Sequence, residues 1–383
     1  MAFQKPLRIL QVVGAMRVGG IETWLVQVLR RLDRKRFQVD ILTHTEEECF
    51  YDHEARALGA HIIPCLHPSR PWRYARNFLA ILKKYGPYDI VHSQVFRYSG
   101  FIMRLAALAG VPVRVAHSRD TSEDRRLTLF RKGYNELMRR WLNRHATHLL
   151  AVSRDAATAL YGPHILADAR LHLIPSGIEL DAFQENFPAG LVKNTLGLAG
   201  ESKVVGHIGR FEEPKNHYFF MEIARHLSSK DSSLRFLLLG DGPLRPQVEA
   251  KARDLGLAER VIFAGLRRDV PGLLKGVFDL LLFPSKWEGT PRVVVEAQAA
   301  GVPCLISDVI PAEVDLVKPL VRRMSLSQEP EAWAEAAWEL LSQPPPVSRE
   351  EAWRQVAASP FNIVNNVRDL ENLYLSAYEQ SRK

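Results

Sequence analysis

The stretch from Phe283 to Pro303 combines two carboxylates with the start of a helix. An apolar run ends at Phe283 and a loop follows that carries Glu288. Thr290 and Pro291 then read as the N-cap and first turn of a helix holding Glu296. Free backbone N–H groups at such an N-terminus attract phosphate or sugar hydroxyls. Glu288 suits hydrogen bonds from sugar hydroxyls, and Glu296, eight residues on, suits a ribose diol; the alternative is a surface carboxylate and an ordinary solvent-facing helix position. A second stretch, Gly206-His-Ile-Gly-Arg-Phe-Glu-Glu-Pro-Lys-Asn216, also follows a strand and precedes a helix. Arg210 offers a fixed fork of donors and Lys215 a flexible point charge, a pair fit to hold a diphosphate while it becomes a leaving group. A surface pair balanced by Glu212 and Glu213 is the alternative.

These residues need elements that present them on one edge. Short Val/Ile/Leu-rich runs alternate with helical patterns along the whole chain, which predicts parallel sheets covered by helices. The first set of strands is expected at Leu7–Val13, Phe37–Thr43, His61–Cys65, Asp89–His92, Val113–His117, His148–Val152 and Leu171–Ile174. The second set is expected at Lys203–Ile208, Leu234–Leu239, Arg260–Phe263, Phe278–Phe283 and Val302–Ser307. A chain of 383 residues is the size of two such domains. The expected division is a first domain over 1–178, a linker and lead into the second domain over 179–202, a ligand-binding domain over 203–358, and a closing segment over 359–383. Two doubly wound sheets in series imply a cleft, with ligands at the C-terminal ends of the strands.

Charge is divided unevenly. Up to Gly177 there are 27 Lys and Arg against 15 Asp and Glu; beyond it the counts are 24 against 28. Nucleic acid, an anionic membrane surface or an acidic acceptor would each suit the basic half, and a solubilising surface is the plain alternative. Within it, Arg125–Arg144 places seven basic residues among Leu127, Leu129, Phe130, Leu137, Met138, Trp141 and Leu142. That pattern predicts either a membrane-surface helix or a core helix with a charged outer face. No apolar run approaches the ~20 residues of a membrane span. The N-terminus has no separate apolar segment with a cleavage site, and Cys49, Cys65 and Cys304 are sparse and unpatterned. A cytoplasmic location is the expectation, with peripheral association on the inner face of the membrane left open beside it.

Gly-Arg-x4-Lys at Gly209–Lys215, followed by Glu-x7-Glu at Glu288–Glu296, resembles the family-4 retaining glycosyltransferases of the GT-B architecture. Gly19-Gly20, Asp89-Ile-Val-His92, Val152-Ser153, Ile174-Pro-Ser-Gly177, Gly240-Asp-Gly242-Pro and Phe263-Ala-Gly265 resemble the same pattern, so the likeness spans nearly the whole chain. The Gly-Gly-Ile-Glu22 loop looks closest to members that build capsular polysaccharides and exopolysaccharides. The resemblance implies a nucleotide-sugar donor, UDP- or GDP-linked, and a glycan or lipid-linked acceptor. It implies transfer with retention of configuration, the acceptor attacking on the face from which the diphosphate departs. Arg210 and Lys215 would bind the donor diphosphate, Glu288 the transferred sugar and Glu296 the ribose. Gly289 and Thr290 would present backbone amides, Gly265 and its neighbours would meet the base, and Gly19 and Gly20 would let the loop approach the donor. His117 matches a histidine beside the donor sugar, with a structural histidine as the alternative. Where the family has an apolar or Gly-rich stretch after Glu-Gly, this chain has Thr-Pro-Arg, so Arg292 is placed to alter what the sugar pocket accepts.

The chain contains no Asp-x-Asp, and no metal or other cofactor is expected; Arg210, Lys215 and the helix N-terminus supply the positive charge instead. Gly14–Gly20 is not a dinucleotide fingerprint, since it lacks Gly-x-Gly-x-x-Gly and the acid after the second strand. Nucleic-acid-binding signatures are absent, so no nucleic-acid partner is expected. A sugar-nucleotide epimerase and a catalytically silent nucleotide-sugar-binding protein are the alternatives on the same architecture.

Overall fold

The computed structural model describes residues 5–121, 128–185, 187–198 and 202–382. The chain forms two compact units, one of 1–178 with 363–383 and one of 179–362.

Unit 1 is built on seven parallel strands: β1 (Leu7–Val12), β2 (Phe37–Thr43), β3 (His61–Pro64), β4 (Ile90–Ser93), β5 (Val113–Ser118), β6 (His148–Ala151) and β7 (Leu171–Leu173). Their order is β3-β2-β1-β4-β5-β6-β7. Its helices are α1 (Gly20–Arg31), α2 (Asp52–Ala57), α3 (Pro71–Tyr85), α4 (Ser99–Leu108), α5 (Leu129–His145) and α6 (Arg154–Tyr161). Strand residues alternate between the faces, so apolar runs serve two cores. Leu10, Val12 and Val91 meet α3, α4 and α6 on one side; Ile9, Ile41 and Val115 meet α1 and the C-terminal helix on the other.

Unit 2 opens with α7 (Ala189–Thr195). Six parallel strands follow: β8 (Val204–Ile208), β9 (Arg235–Leu239), β10 (Val261–Phe263), β11 (Leu280–Phe283), β12 (Cys304–Ser307) and β13 (Val321–Met324), in the order β10-β9-β8-β11-β12-β13. Its other helices are α8 (His217–Lys230), α9 (Arg245–Asp254), α10 (Val270–Gly276), α11 (Arg292–Ala299), α12 (Pro330–Ser342) and α13 (Arg349–Ala358). Val205, Phe236, Leu238, Leu280 and Leu282 pack with residues of α8, α9 and α12 in one core. Strand order reverses between β8 and β11, and such a reversal opens a crevice at the C-terminal strand ends.

The structure adds to the expected elements at three places. Residues 179–202, expected as a linker and lead into the second domain, hold α7, and Phe187 lies so close to Gly272 that a Cβ there would come within 2.1 Å of its ring. The strand β13 was not foreseen, because Val-Arg-Arg-Met is short, half polar and at the sheet edge. The closing segment holds α14 (Ile363–Ser381), parted from α13 at Pro360, which has no N–H to continue a helical ladder. α14 belongs to unit 1, where Trp24 Nε1 donates to Asn366 Oδ1 at 2.7 Å and Asn366 Nδ2 donates to the Pro175 carbonyl at 2.8 Å.

Candidate functional site

At the reversal in unit 2, the loops after β8 and β11 are tied together. Lys286 N donates to the Pro214 carbonyl at 2.7 Å and Asn216 Nδ2 to the Pro284 carbonyl at 3.1 Å. Asn216 itself adopts left-handed backbone (φ 54°), which lets the chain turn from a short 3-10 turn at Glu213–Lys215 into α8. Lys215 Nζ lies 2.5 Å from Glu288 Oε1 and 4.9 Å from the centre of the Phe283 ring. Both side chains are mostly shielded, 21% and 13% exposed. The ion pair is therefore stronger than a surface one. Arg210, by contrast, is 61% exposed, with Nη2 at 2.7 Å from Glu212 Oε1.

The loop after β9 closes the same edge. Gly240 N donates to the Gly265 carbonyl at 2.8 Å, drawing in the loop after β10. Gly240 has φ +131°, and a Cβ there would fall 2.1 Å from the Gly209 carbonyl, so only glycine fits. Gly265, also at positive φ, sits with Arg245 Nη1 3.7 Å from where its Cβ would be. Beneath the Arg210–Lys215 loop, Phe211 stacks on His217 at 4.1 Å between ring centres, and His217 meets His207 at 4.6 Å. Burial pushes the pKa of His207 down to about 4 and that of His217 to about 2, so both rings are neutral.

The helix after Glu288 starts later than expected. Pro291 is extended (ψ 104°) and holds the N-cap position, Arg292 is the first residue of α11, and Thr290 does not cap it. Thr290 Oγ1 is buried with no hydrogen-bond partner. Gly289 is buried beside it. Glu296 is the fifth helical residue, 21% exposed, with Arg292 Nη2 at 3.9 Å. It is partly shielded rather than fully solvent-facing. Desolvation raises its pKa, and Arg292 opposes the shift. Arg210, Lys215, Glu288, Gly289, Thr290, Glu296 and Gly265 thus share the C-terminal edge of one sheet.

Unit 1 holds the other three candidates. Gly19 precedes α1 in extended conformation, and a Cβ there would meet Glu22 Oε2 at 2.4 Å; at Gly20 a Cβ would meet nothing within 4 Å. His117 has no exposed surface. Its Nε2 lies 3.3 Å from the Ile174 carbonyl and its Nδ1 3.2 Å from His92 Nε2; His92 Nδ1 lies 2.6 Å from the Tyr374 hydroxyl, which accepts from Gln11 Nε2 at 2.9 Å. One set of neutral tautomers satisfies the relay: Tyr374 donates to His92, His92 to His117, and His117 to the carbonyl. Burial holds both imidazoles well below the ordinary histidine pKa, reinforced by the nearby Arg119 charge. Sequence reasoning quoted His92 only as part of a motif and missed its partners, because Tyr374 lies 282 residues away.

Among the described residues no group of His, Cys, Asp or Glu is arranged to hold a metal ion, and no helix is long and apolar enough to cross a membrane.

Residues 191–359 match the family model described as glycosyl transferases group 1, and residues 18–182 match that of glycosyltransferase family 4. The glycosyltransferase-family protein EpsF of Bacillus subtilis (strain 168) is 36% identical over 377 residues, 96% of each chain. The UDP-Gal:alpha-D-GlcNAc-diphosphoundecaprenol alpha-1,3-galactosyltransferase of Escherichia coli is 27% identical over 307 residues, 76% of this chain and 77% of that one. The solved structure of HepE from Anabaena, in complex with UDP and glucose, superposes with a TM-score of 0.80 at 18% identity, covering 97% of this chain and 100% of that chain. Both halves match, the likeness to EpsF runs nearly end to end, and each unit is a doubly wound parallel sheet: the chain belongs to the family-4 glycosyltransferases and has the GT-B fold.

Proposed function

We propose that the enzyme transfers a sugar, with retention of configuration and without a metal ion, from a UDP- or GDP-sugar to a glycan or lipid-linked acceptor. The observation that carries this reading is the shielded Lys215–Glu288 pair at the strand reversal of unit 2, one turn of chain from Arg210 and from the start of α11. The E. coli relative named above takes UDP-Gal, and HepE binds UDP, which supports a uridine donor.

Arg210 and Lys215 hold the donor diphosphate and offset the charge that grows on it as the bond from the anomeric carbon breaks. The loop just before α11 adds backbone N–H groups at Gly289 and Thr290. Glu288 accepts from hydroxyls of the transferred sugar, and Glu296 accepts from the ribose. The acceptor oxygen bonds to the anomeric carbon from the face the diphosphate leaves, and the acceptor proton passes to the departing phosphate oxygen. Arg292, close to Glu296, bears on which sugars fit. The GT-B fold alone hosts several chemistries, so the case rests on these residues.

Calorimetric titration of UDP, GDP and ADP in the presence of a chelator tests the donor site, followed by transfer from the matching nucleotide sugar. The expected outcome is binding of one nucleotide and a product with the donor's anomeric configuration. Inversion, or binding that needs a divalent ion, overturns the reading.

A further inference from the structure

The positive charge of the N-terminal half is gathered on one helical layer of unit 1. Helices α3, α4 and α6 cover the sheet face that holds Leu10, Val12 and Ala116, and α5 joins them through Leu142; α1, α14 and Ala55 of α2 cover the other face. On α3, Arg73, Arg76, Lys83 and Lys84 are all exposed, and the helix has no acidic residue. On α4 the sole charged residue is Arg104, lying 4.3 Å over the Trp141 ring of α5. α5 carries Arg131, Lys132, Arg139, Arg140 and Arg144 against Glu136, and that carboxylate is engaged by Arg139 and Arg140. The opposite layer mixes its signs: Glu22 with Arg30 and Arg31 on α1, Arg368 with Asp369 and Glu371 on α14. A solubilising coat would spread over both layers; this charge does not.

Large apolar side chains stand exposed on the same layer. Trp72 is 89% exposed, and Leu129 and Phe130 are each 86% exposed. All three lie in the first turns of α3 and α5. In a parallel sheet each connecting helix starts at the C-terminal edge of the preceding strand, so the three side chains share one rim. Asn135, Met138 and Leu142 face the core from α5, which turns Leu137, Arg140 and Arg144 outward along the stripe that begins at Leu129. Apolar anchors at a rim beside a face of arginine and lysine suit a bilayer. The aromatic and aliphatic groups enter the interface while the cations reach lipid phosphates. A nucleic acid would use the charge but has no need of three bare apolar anchors. Arg125, Arg126 and Leu127, read from the sequence as part of this patch, lie outside the described residues.

We infer that unit 1 docks on an anionic phospholipid bilayer through the Trp72, Leu129 and Phe130 rim and the basic outer faces of α3 and α5. The inference does not depend on the donor assignment, and none of Trp72, Leu129, Phe130 and the basic residues of α3 and α5 is among the donor candidates.

Flotation of the full chain with vesicles tests it. Vesicles of phosphatidylcholine alone, and of phosphatidylcholine with phosphatidylglycerol, are compared at low and high salt. The protein should float only with phosphatidylglycerol, and less at high salt. The Arg140→Glu/Arg144→Glu variant should lower the partition coefficient by about tenfold or more. Trp72→Ser/Phe130→Ser should lose vesicle binding while keeping the helical circular dichroism and the nucleotide affinity of the parent, which rules out misfolding. Equal flotation on the two compositions overturns the inference, as does parent-like binding by both variants. Binding to duplex DNA without flotation on either vesicle overturns it too, assigning the charge to a polyanion.

Discussion

A lysine ammonium 2.5 Å from one carboxylate and 4.9 Å above a phenyl ring is held in place before any ligand arrives. Lys215 is so placed, and its charge-assisted contacts are worth more because the pair is shielded. Lys215→Ala removes the cation and leaves Glu288 without it. If Lys215 stabilises the leaving diphosphate, the substitution costs about 1.5–3 kcal/mol in the transition state, roughly one to two decades of rate. Steady-state transfer by the variant should show that loss in kcat, with the product's configuration unchanged. A kcat equal to that of the parent would remove Lys215 from the chemistry. Spacing alone identified Lys215, Glu288 and Glu296 as candidates, but not that Lys215 and Glu288 touch across 73 residues of chain. Nor did the position of His117 after a strand reveal that its ring is one link of a buried, neutral relay.

The strands were legible because burial on both faces writes them as unbroken apolar runs; β2 was placed to the residue and most others to within two. Edges were not, since β13 carries Arg322 and Arg323 on a half-exposed strand. Nor was the docking of α14, in which one bifunctional residue acts beside Tyr374 and a row of apolar side chains. Asn366 accepts from Trp24 and donates to the Pro175 carbonyl inside unit 1, and its own exposure is 1%. Asn366→Ala strands a buried indole N–H and a buried carbonyl, so urea unfolding of the variant should show a loss of about 2–4 kcal/mol. A loss below about 0.5 kcal/mol would mean that apolar packing by Leu370, Leu373 and Tyr374 alone fixes the helix. The start of α11 was misplaced for a comparable reason: Thr290-Pro291 has the composition of a cap, but Pro291 takes an extended ψ and defers the first turn.

Across the molecule, burial keeps several histidines neutral in both units. His44, His148 and His207 are pushed down to about 4 and His217 to about 2, while His92 and His117 lie well below their ordinary value. Because their folded pKa values are depressed, the unfolded chain binds protons first. The stability that these rings contribute is complete above about pH 6.5 and is lost as pH falls toward about 4, each ring adding at most about 1.4 kcal/mol per pH unit. Scanning calorimetry should therefore find Tm falling steadily from pH 7 to pH 5; an unchanged Tm over that interval would contradict the buried neutral assignments. Nucleotide binding by unit 2 is the proposal at the centre of the account. Its most direct test is calorimetric titration of UDP, GDP and ADP, in chelator, into the parent chain and into Arg210→Ala. The account predicts that one nucleotide binds the parent without metal and that the variant binds it about tenfold or more weakly. Equal affinity in the two proteins, or no binding of any of the three to the parent, would contradict it.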